Sequence, residues 1–246
     1  MNEVLTSVIR PGTTRGMDFV TIEELRKRTG VTSEAVLKWS LTEILCNSLD
    51  TDAKIIRINI EADKDFYTLT VADNGSKKLT VDELRLILDF ENKASSKRGI
   101  LRVSRGYLGN ALKCIFGYSY ALAQSKDLDP PDIIVSSGKT SYQIRLKPDR
   151  VKQTIESEVI NSGREDDGLN VFTVKLPKTD NPTSSDALKD LVFTTSMVNP
   201  TRKIYYAFVD HENGWVDKTI FGYAEESRGI RQDTSVLWYT GKQFVA

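Results

Sequence analysis

Glu43, Asn47 and Asp50 stand at i, i+4 and i+7, the spacing that brings side chains to one face of a helix. A carboxylate and an amide oxygen held together there have a definite chemistry open to them. The carboxylate polarises a nucleophilic water, and the amide oxygen joins the shell of Mg²⁺, which takes few protein oxygens and completes itself with waters and phosphates. The plainer reading of the trio is the solvated face of a helix whose other side is apolar. Asp73-Asn74-Gly75 ends a later stretch of alternating apolar residues. Asp and Asn bond to local backbone and Gly accepts positive φ, so a turn is one reading. The other is an acceptor at a strand end, facing the exocyclic amine of a base that approaches the backbone closely over Gly75. Such an acceptor selects adenine, because guanine presents a carbonyl there and leaves the acceptor unpaired.

A third stretch, Asn92 to Lys126, holds Lys93, Lys97, Arg98, Arg102, Arg105, Lys113 and Lys126 and no acidic residue. Within it, Ser104-Arg105-Gly106-Tyr107-Leu108-Gly109-Asn110-Ala111-Leu112-Lys113 puts two glycines at the start of a helix. Free N–H groups and the positive helix end favour an anion there by about 0.3 to 2 kcal/mol, and basic neighbours add to it. A triphosphate is the natural ligand. Nucleic acid is attracted by the same field, and a solvated basic loop punctuated by glycine is the plainest alternative. Ser137-Gly138-Lys139-Thr140 ends like a Walker A loop, but Ile133 occupies the place of its first glycine and a strand follows where a helix is required. A hairpin turn is expected instead.

The elements that must position these residues follow from periodicity. From Ser33 to Leu49, Leu37, Leu41, Ile44, Leu45 and Leu49 share one broad side of a helix, opposite Glu43, Asn47 and Asp50. VTIEELRKRTG, with early acids and Gly30 as a stop, reads as a short helix before it. KIIRINIEA and FYTLTVAD read as a hairpin, followed by a helix from about Thr80 to Phe90 and another opening near Gly106. DIIVSS, TSYQIRLK, a weaker segment from Gln153 to Ile160 and NVFTVKLP read as strands. A helix from Asp186 to Val198 and a last hairpin turning at Asn213-Gly214 complete the series. This order lacks regular βαβ alternation and predicts an α+β protein, a two-layer α/β sandwich on a largely antiparallel sheet.

Composition sets the outer bounds. With 246 residues and 39% apolar side chains, the chain is long enough to bury a full core without staples. Equal numbers of basic and acidic residues, 34 each, argue against a globally basic nucleic-acid or membrane-surface binder. No apolar run approaches the ~20 residues that span a bilayer, so a cytoplasmic protein is expected. Cys46, Cys114 and the single His211 are too few for a zinc site or a disulfide framework and read as buried thiols and an isolated imidazole.

In their order along the chain, the polar helix, the strand ending in D-N-G, the basic stretch and the R-G-x-x-G-x-A helix start resemble the GHKL, or Bergerat-fold, ATPases. Glu43-Ile44-Leu45-Cys46-Asn47-Ser48-Leu49-Asp50-Thr51-Asp52-Ala53 is similar to their N box, Asp73-Asn74-Gly75 to the first glycine box, Ser96-Lys97 to the lid, and Arg105 to Leu112 to the second glycine box of topoisomerase VI B subunits and MutL proteins. Thr195-Ser196-Met197-Val198-Asn199-Pro200 and the strand after it resemble the end of the topoisomerase VI ATPase domain. The resemblance spans Phe19 to Val209. It implies a Bergerat sandwich with a mostly antiparallel mixed sheet, and ATP with Mg²⁺ as ligands. Glu43 is then the general base, Asn47 the Mg²⁺ ligand, Asp50 part of the pocket wall, Asp73 the reader of the adenine amine and Gly75 the floor under the base. Ser96, Lys97, Arg105, the backbone from Gly106 through Tyr107, Leu108, Gly109 and Asn110 to Ala111, and Lys113 attend the phosphates.

The same resemblance implies a homodimer formed on ATP binding and DNA as a partner of a longer protein. It divides the chain into an arm (1–18), the ATP-binding domain (19–220) and a segment (221–246) leading to a following domain, whose lysine completes the site in relatives. Turnover by this chain alone is then weak. Departures from the family pattern are Cys46 for an Asp, Ser76 and Lys77 for a second glycine, and Leu169 for a Thr, with Thr173 as a substitute only in another register. They motivate one alternative, a nucleotide switch without turnover. A second alternative is a helix-turn-helix DNA-binding module in TIEELRKRTGVTSEAVLKWSL. His211 falls in a hairpin turn, which disfavours a histidine kinase.

Overall fold

A computed structural model describes residues 16–91, 110–165 and 167–222. The 3-10 turn Gly16–Val20 leads into α1 (Ile22–Thr29), which has Glu23 and Glu24 in its first turn and Arg26, Lys27 and Arg28 in its last, as the helix dipole favours. α2 (Val36–Leu49) follows, then the hairpin β1 (Ile55–Ala62) and β2 (Phe66–Asp73). α3 (Val81–Leu88) starts at a capping box in which Thr80 and Glu83 satisfy each other's N–H groups. α4 (Ala111–Ser125) precedes four strands, β3 (Ile133–Ser137), β4 (Thr140–Asp149), β5 (Thr154–Gly163) and β6 (Asn170–Pro177). α5 (Ser185–Met197) leads to the hairpin β7 (Lys203–Asp210) and β8 (Trp215–Phe221).

The strands form one sheet in the order β5-β4-β3-β6-β2-β1-β7-β8. Each pairing is antiparallel except that of β1 with β7, so the sheet is mixed and mostly antiparallel. Its registers align the buried positions into rows. Ile58 stands between Val71 and Tyr206, Ile60 between Leu69 and Phe208, and Phe172 between Val71 and Val135. All these side chains point to the face on which α2, α4 and α5 pack. Phe116 of α4 stacks on Phe172 at 5.7 Å, and Tyr206 donates to the Ser185 carbonyl at the start of α5. The other face carries Arg57, Tyr205, Thr70 and Thr173, and no described helix lies on it.

This is the two-layer α+β sandwich that the element order predicts, and it settles two smaller questions. Gly138 and Lys139 form the two-residue link between β3 and β4, with Ser137 opposite Thr140, so the GKT string is a hairpin turn. The helix-turn-helix reading fails. α2 buries ten of its fourteen residues, Glu43 and Ser48 among them, and a helix wrapped by the core has no face to offer a DNA groove.

Gly117 marks the tightest contact between layers. A Cβ at this position of α4 would stand 1.7 Å from the carbonyl oxygen of Phe19, so the Gly16–Val20 turn crosses directly over the helix. Phe19, fully buried, then meets Phe90 edge-on at 5.5 Å. Gly117→Ala is expected to lower the unfolding free energy by about 1 to 3 kcal/mol, read by urea denaturation. Gly163→Ala, where a Cβ meets nothing within 4 Å, is the matched control and is expected to leave the transition unmoved.

Candidate functional site

β2 carries Asp73 in phase with Leu69 and Val71, on the helix-facing side, and leaves it 7% exposed. A carboxylate removed from water costs several kcal/mol unless hydrogen bonds replace its hydration. Here Ser48 of α2 donates to Oδ2 at 2.8 Å, while the Gly75 N–H at 2.9 Å and the Asn170 amide at 3.1 Å donate to Oδ1. Asn170 lies directly across from Asp73 in the β2–β6 register, and Ser137 lies across from Asn170. The Ser137 hydroxyl donates to Asn170 Oδ1 at 2.8 Å and accepts the Leu79 N–H at 2.8 Å. This fixes the amide's orientation, since turning it over would face its carbonyl to the Asp73 carboxylate and to the Gly75 carbonyl that it now bonds at 3.2 Å. Among the described residues Oδ2 has one donor, and a carboxylate oxygen accepts two. The row therefore ends in an oriented acceptor with capacity for one more N–H.

Gly75 keeps that acceptor reachable. A Cβ there would lie 2.8 Å from Thr51 Oγ1 and 2.9 Å from Asp73 Oδ1, so no side chain fits between the α2–β1 loop and the carboxylate. Thr51 is itself held, donating to the Ser48 carbonyl at 2.7 Å and accepting the Ala53 N–H at 3.1 Å. The residues after Gly75 leave this space alone. The Ser76 N–H bonds Asp52 at 2.8 Å, Lys77 pairs with Glu83 at 2.6 Å, and Lys78 reaches the carbonyls of Gly75 and Gly168 at 3.1 and 3.0 Å.

α2 joins this acceptor to the rest of the predicted site. Glu43 is five residues before Ser48, about 7.5 Å along the helix axis, and is 9% exposed. Asn47 is exposed and Asp50, at the C-cap, half-buried. The trio is thus mixed in exposure, unlike the uniformly wet face that its spacing alone suggests. Cys46, in the same turn, is buried.

α2 packs against α4, whose Cys114 lies within reach of the Glu43 charge. Asn110 is the N-cap of α4; its side chain makes no capping bond, and its buried Oδ1 has no partner among the described residues. Lys113 is 1% exposed, with its ammonium on the Asp89 carbonyl, and burial holds its pKa below the ordinary lysine value. The loss of hydration likewise pushes the Cys114 thiol up to about 12. Both cysteines are free and buried. Ser96, Lys97, Arg105, Gly106, Tyr107, Leu108 and Gly109 lie outside the described residues. No group of three or more His, Cys, Asp or Glu able to hold a metal occurs among the described residues, and no described helix is long and apolar enough to cross a membrane.

The structure thus joins Asp73 and Gly75 to Ser48, Ser137 and Asn170, and places Glu43 on the same helix as Ser48. Sequence reasoning named Leu169 and Thr173 as the positions to watch on this strand. Leu169 precedes β6, and Thr173 pairs with Thr70 on the opposite face, their hydroxyls 3.1 Å apart. The available signal was phase: Ser137 and Asn170 fall on the parity of Val135 and Phe172, polar residues in step with the core.

The fold is a helical layer on a mixed, mostly antiparallel sheet. It is similar to the ATP-binding domain of topoisomerase IV from Francisella tularensis, determined in complex with a small-molecule inhibitor, at a TM-score of 0.51 and 15% sequence identity. The match covers 85% of this chain and 56% of that one. No protein-family profile matches the sequence, and no curated protein does.

Asn170→Ala removes one donor from Asp73 and strands Ser137, and is expected to lower stability by about 1 to 3 kcal/mol in urea unfolding. Cys114 makes a pH prediction. Its thiol stays neutral in the fold up to about 12, against 9.0 when unperturbed. The raised pKa contributes stability that is complete below pH 9 and is lost as the pH climbs toward 12. The stability of wild type is expected to fall more steeply across that window than that of Cys114→Ala, by parallel denaturant titrations.

Proposed function

We propose that this chain binds ATP with Mg²⁺ and hydrolyses it. The observation that carries the reading is Asp73: a buried, charged acceptor, oriented by Ser48 and Asn170, with one side kept clear by Gly75. An exocyclic amine matches that acceptor and a carbonyl does not. In this reading the adenine rests over Gly75, and the phosphates extend along α2 toward the first turn of α4. The amides at that helix start, from Gly106 to Ala111, receive them with Ser96, Lys97 and Arg105. Glu43 accepts a proton from the water that attacks the γ-phosphate, and its burial beside α4 suits a base that works out of bulk solvent. Asp50 lines the pocket wall. Lys113, held by the Asp89 carbonyl, steadies α4 behind the phosphates.

The residues present fit Mg²⁺ in a particular way. Exposed Asn47 offers an amide oxygen, the described residues offer no acidic cluster, and Mg²⁺ is at home with one or two protein oxygens plus phosphates. When bound, it supplies charge neutralisation on the phosphates. The topoisomerase IV neighbour is an ATP-binding domain by its own description, which supports the nucleotide. The wider setting we propose is the ATPase part of a cytoplasmic topoisomerase VI B-like, DNA-transacting or defence protein that dimerises on ATP. The domain spans residues 19–220, with 221–246 leading onward. Buried Cys46, which brings no charge to the base-side turn of α2, favours a second reading, a nucleotide switch with little turnover.

Calorimetric titration with a non-hydrolysable ATP analogue, with and without Mg²⁺, tests binding. Asp73→Asn is expected to weaken it about tenfold or more, the value of one hydrogen bond to a charged group. GTP binding as tight as ATP binding would refute the adenine assignment. In a phosphate-release assay, Glu43→Ala is expected to keep nucleotide affinity and reduce turnover by about 10² to 10⁴; unchanged turnover removes Glu43 from its role and leaves the switch.

A further inference from the structure

Arg202 lies between α5 and β7 and is 6% exposed. Its guanidinium donates to the Ala53 carbonyl and, at 3.0 Å, to the Thr51 carbonyl. Its own N–H bonds the Asn199 carbonyl at 3.0 Å, and buried Asn199 is fixed by its amide to the Thr195 carbonyl at 2.8 Å. A guanidinium presents its donors in a rigid plane, and here that plane grips alternate carbonyls of the loop between α2 and β1. The gripped residues are those that shape the Asp73 site. Thr51 is the side chain that closes on Gly75, it accepts the Ala53 N–H, and it bonds back to Ser48, which donates to Asp73. On its far side Arg202 meets Gly222. A Cβ there would stand 2.4 Å from the Arg202 carbonyl oxygen, and Gly222 holds φ at +73°, a conformation that side-chain-bearing residues rarely adopt.

We propose that Arg202 is a positioning residue for the Asp73 acceptor. It fixes the α2–β1 loop, and so the direction in which Asp73 meets a base amine, while Gly222 fixes Arg202. The backbone path at Gly222, where β8 has ended, is thereby coupled to base selection at the opposite end of the contact chain. By the reciprocity of linked equilibria, a ligand on Asp73 that tightens the loop also holds Gly222 in place. The proposal rests on the nucleotide reading for its ligand and on the hydrogen bonds alone for its geometry.

The test compares wild type with Arg202→Met, Arg202→Lys, Gly222→Ala and, as a control for lost stability, Val192→Ala in the buried side of α5. One readout is residue-resolved amide exchange without ligand at Ala53 and Gly75, whose N–H groups bond Thr51 Oγ1 and Asp73 Oδ1. The other is the ratio of affinities for ATP and inosine triphosphate, which carries a carbonyl where ATP carries the amine. Arg202→Met and Gly222→Ala are expected to speed exchange at both amides and to cut the affinity ratio, each about tenfold. Arg202→Lys, which keeps the charge but reaches one carbonyl, is expected to fall between. Val192→Ala is expected to lower the unfolding temperature with neither effect. Wild-type exchange and an unchanged ratio in Arg202→Met overturn the proposal, as does an equal loss of selectivity in Val192→Ala. If wild type binds neither nucleotide, the functional reading falls, and the exchange rates at Ala53 and Gly75 then decide the positioning role by themselves. Should Arg202→Met fail to fold, Arg202→Lys and Gly222→Ala decide the proposal by the same two readouts.

Discussion

A carboxylate held away from water must be given its hydrogen bonds by the protein, and at Asp73 that demand organises the molecule. Its donors come from three directions: the Ser48 hydroxyl of the helical layer, the Gly75 amide of its own turn and the Asn170 amide of the neighbouring strand. α2 can therefore dock at only one depth and rotation, and β6 can pair with β2 in only one register, without leaving a charge unsatisfied. A slip of one residue in β6 would turn Asn170 to the open face and present a different residue to Asp73, with the apolar rows misaligned as well. Packing and polar satisfaction specify the same arrangement.

A second constraint concerns where α2 meets α4. Glu43 of α2 and Lys113 and Cys114 of α4 are all buried, and the two helices are in contact. Burial acts on them in opposite senses, holding the lysine's pKa down and the thiol's up. Lys113 is anchored to the Asp89 carbonyl just beyond the end of α3, and Phe90 beside it is locked on Phe19. Both described ends of the chain that flank residues 92–109 are thus tied to the core.

Much of this was legible in the sequence because it is written in period and punctuation. The α2 stripe, the β1–β2 hairpin, the α3 helix and the terminal hairpin all follow from apolar spacing and turn residues, and the open sheet face follows from alternation in strands such as Ile55–Ala62. The site was legible only in part. Asp73 and Gly75 carry a local signature, whereas Asn170 and Ser137 act through a register that joins residues far apart in the chain. The spacing of Glu43, Asn47 and Asp50 predicted a shared face but not the burial of Glu43, which depends on how α2 packs in the layer. Arg202 had no signal, since a basic residue after a helix reads as surface until the loop it grips is known.

The single parallel pairing has a consequence for how the chain is made. β7 adds to the edge of β1 only after the intervening helices and strands exist, and the Arg202–Thr51 contact spans 151 positions. Closing so long a loop is entropically slow. During synthesis β1 therefore emerges early and waits with one side unpaired, its Ile56, Ile58 and Ile60 backbone offered to any neighbouring strand. The late hairpin works as an intramolecular edge guard, and nascent or truncated chains that lack β7 would be the aggregation-prone species of this protein.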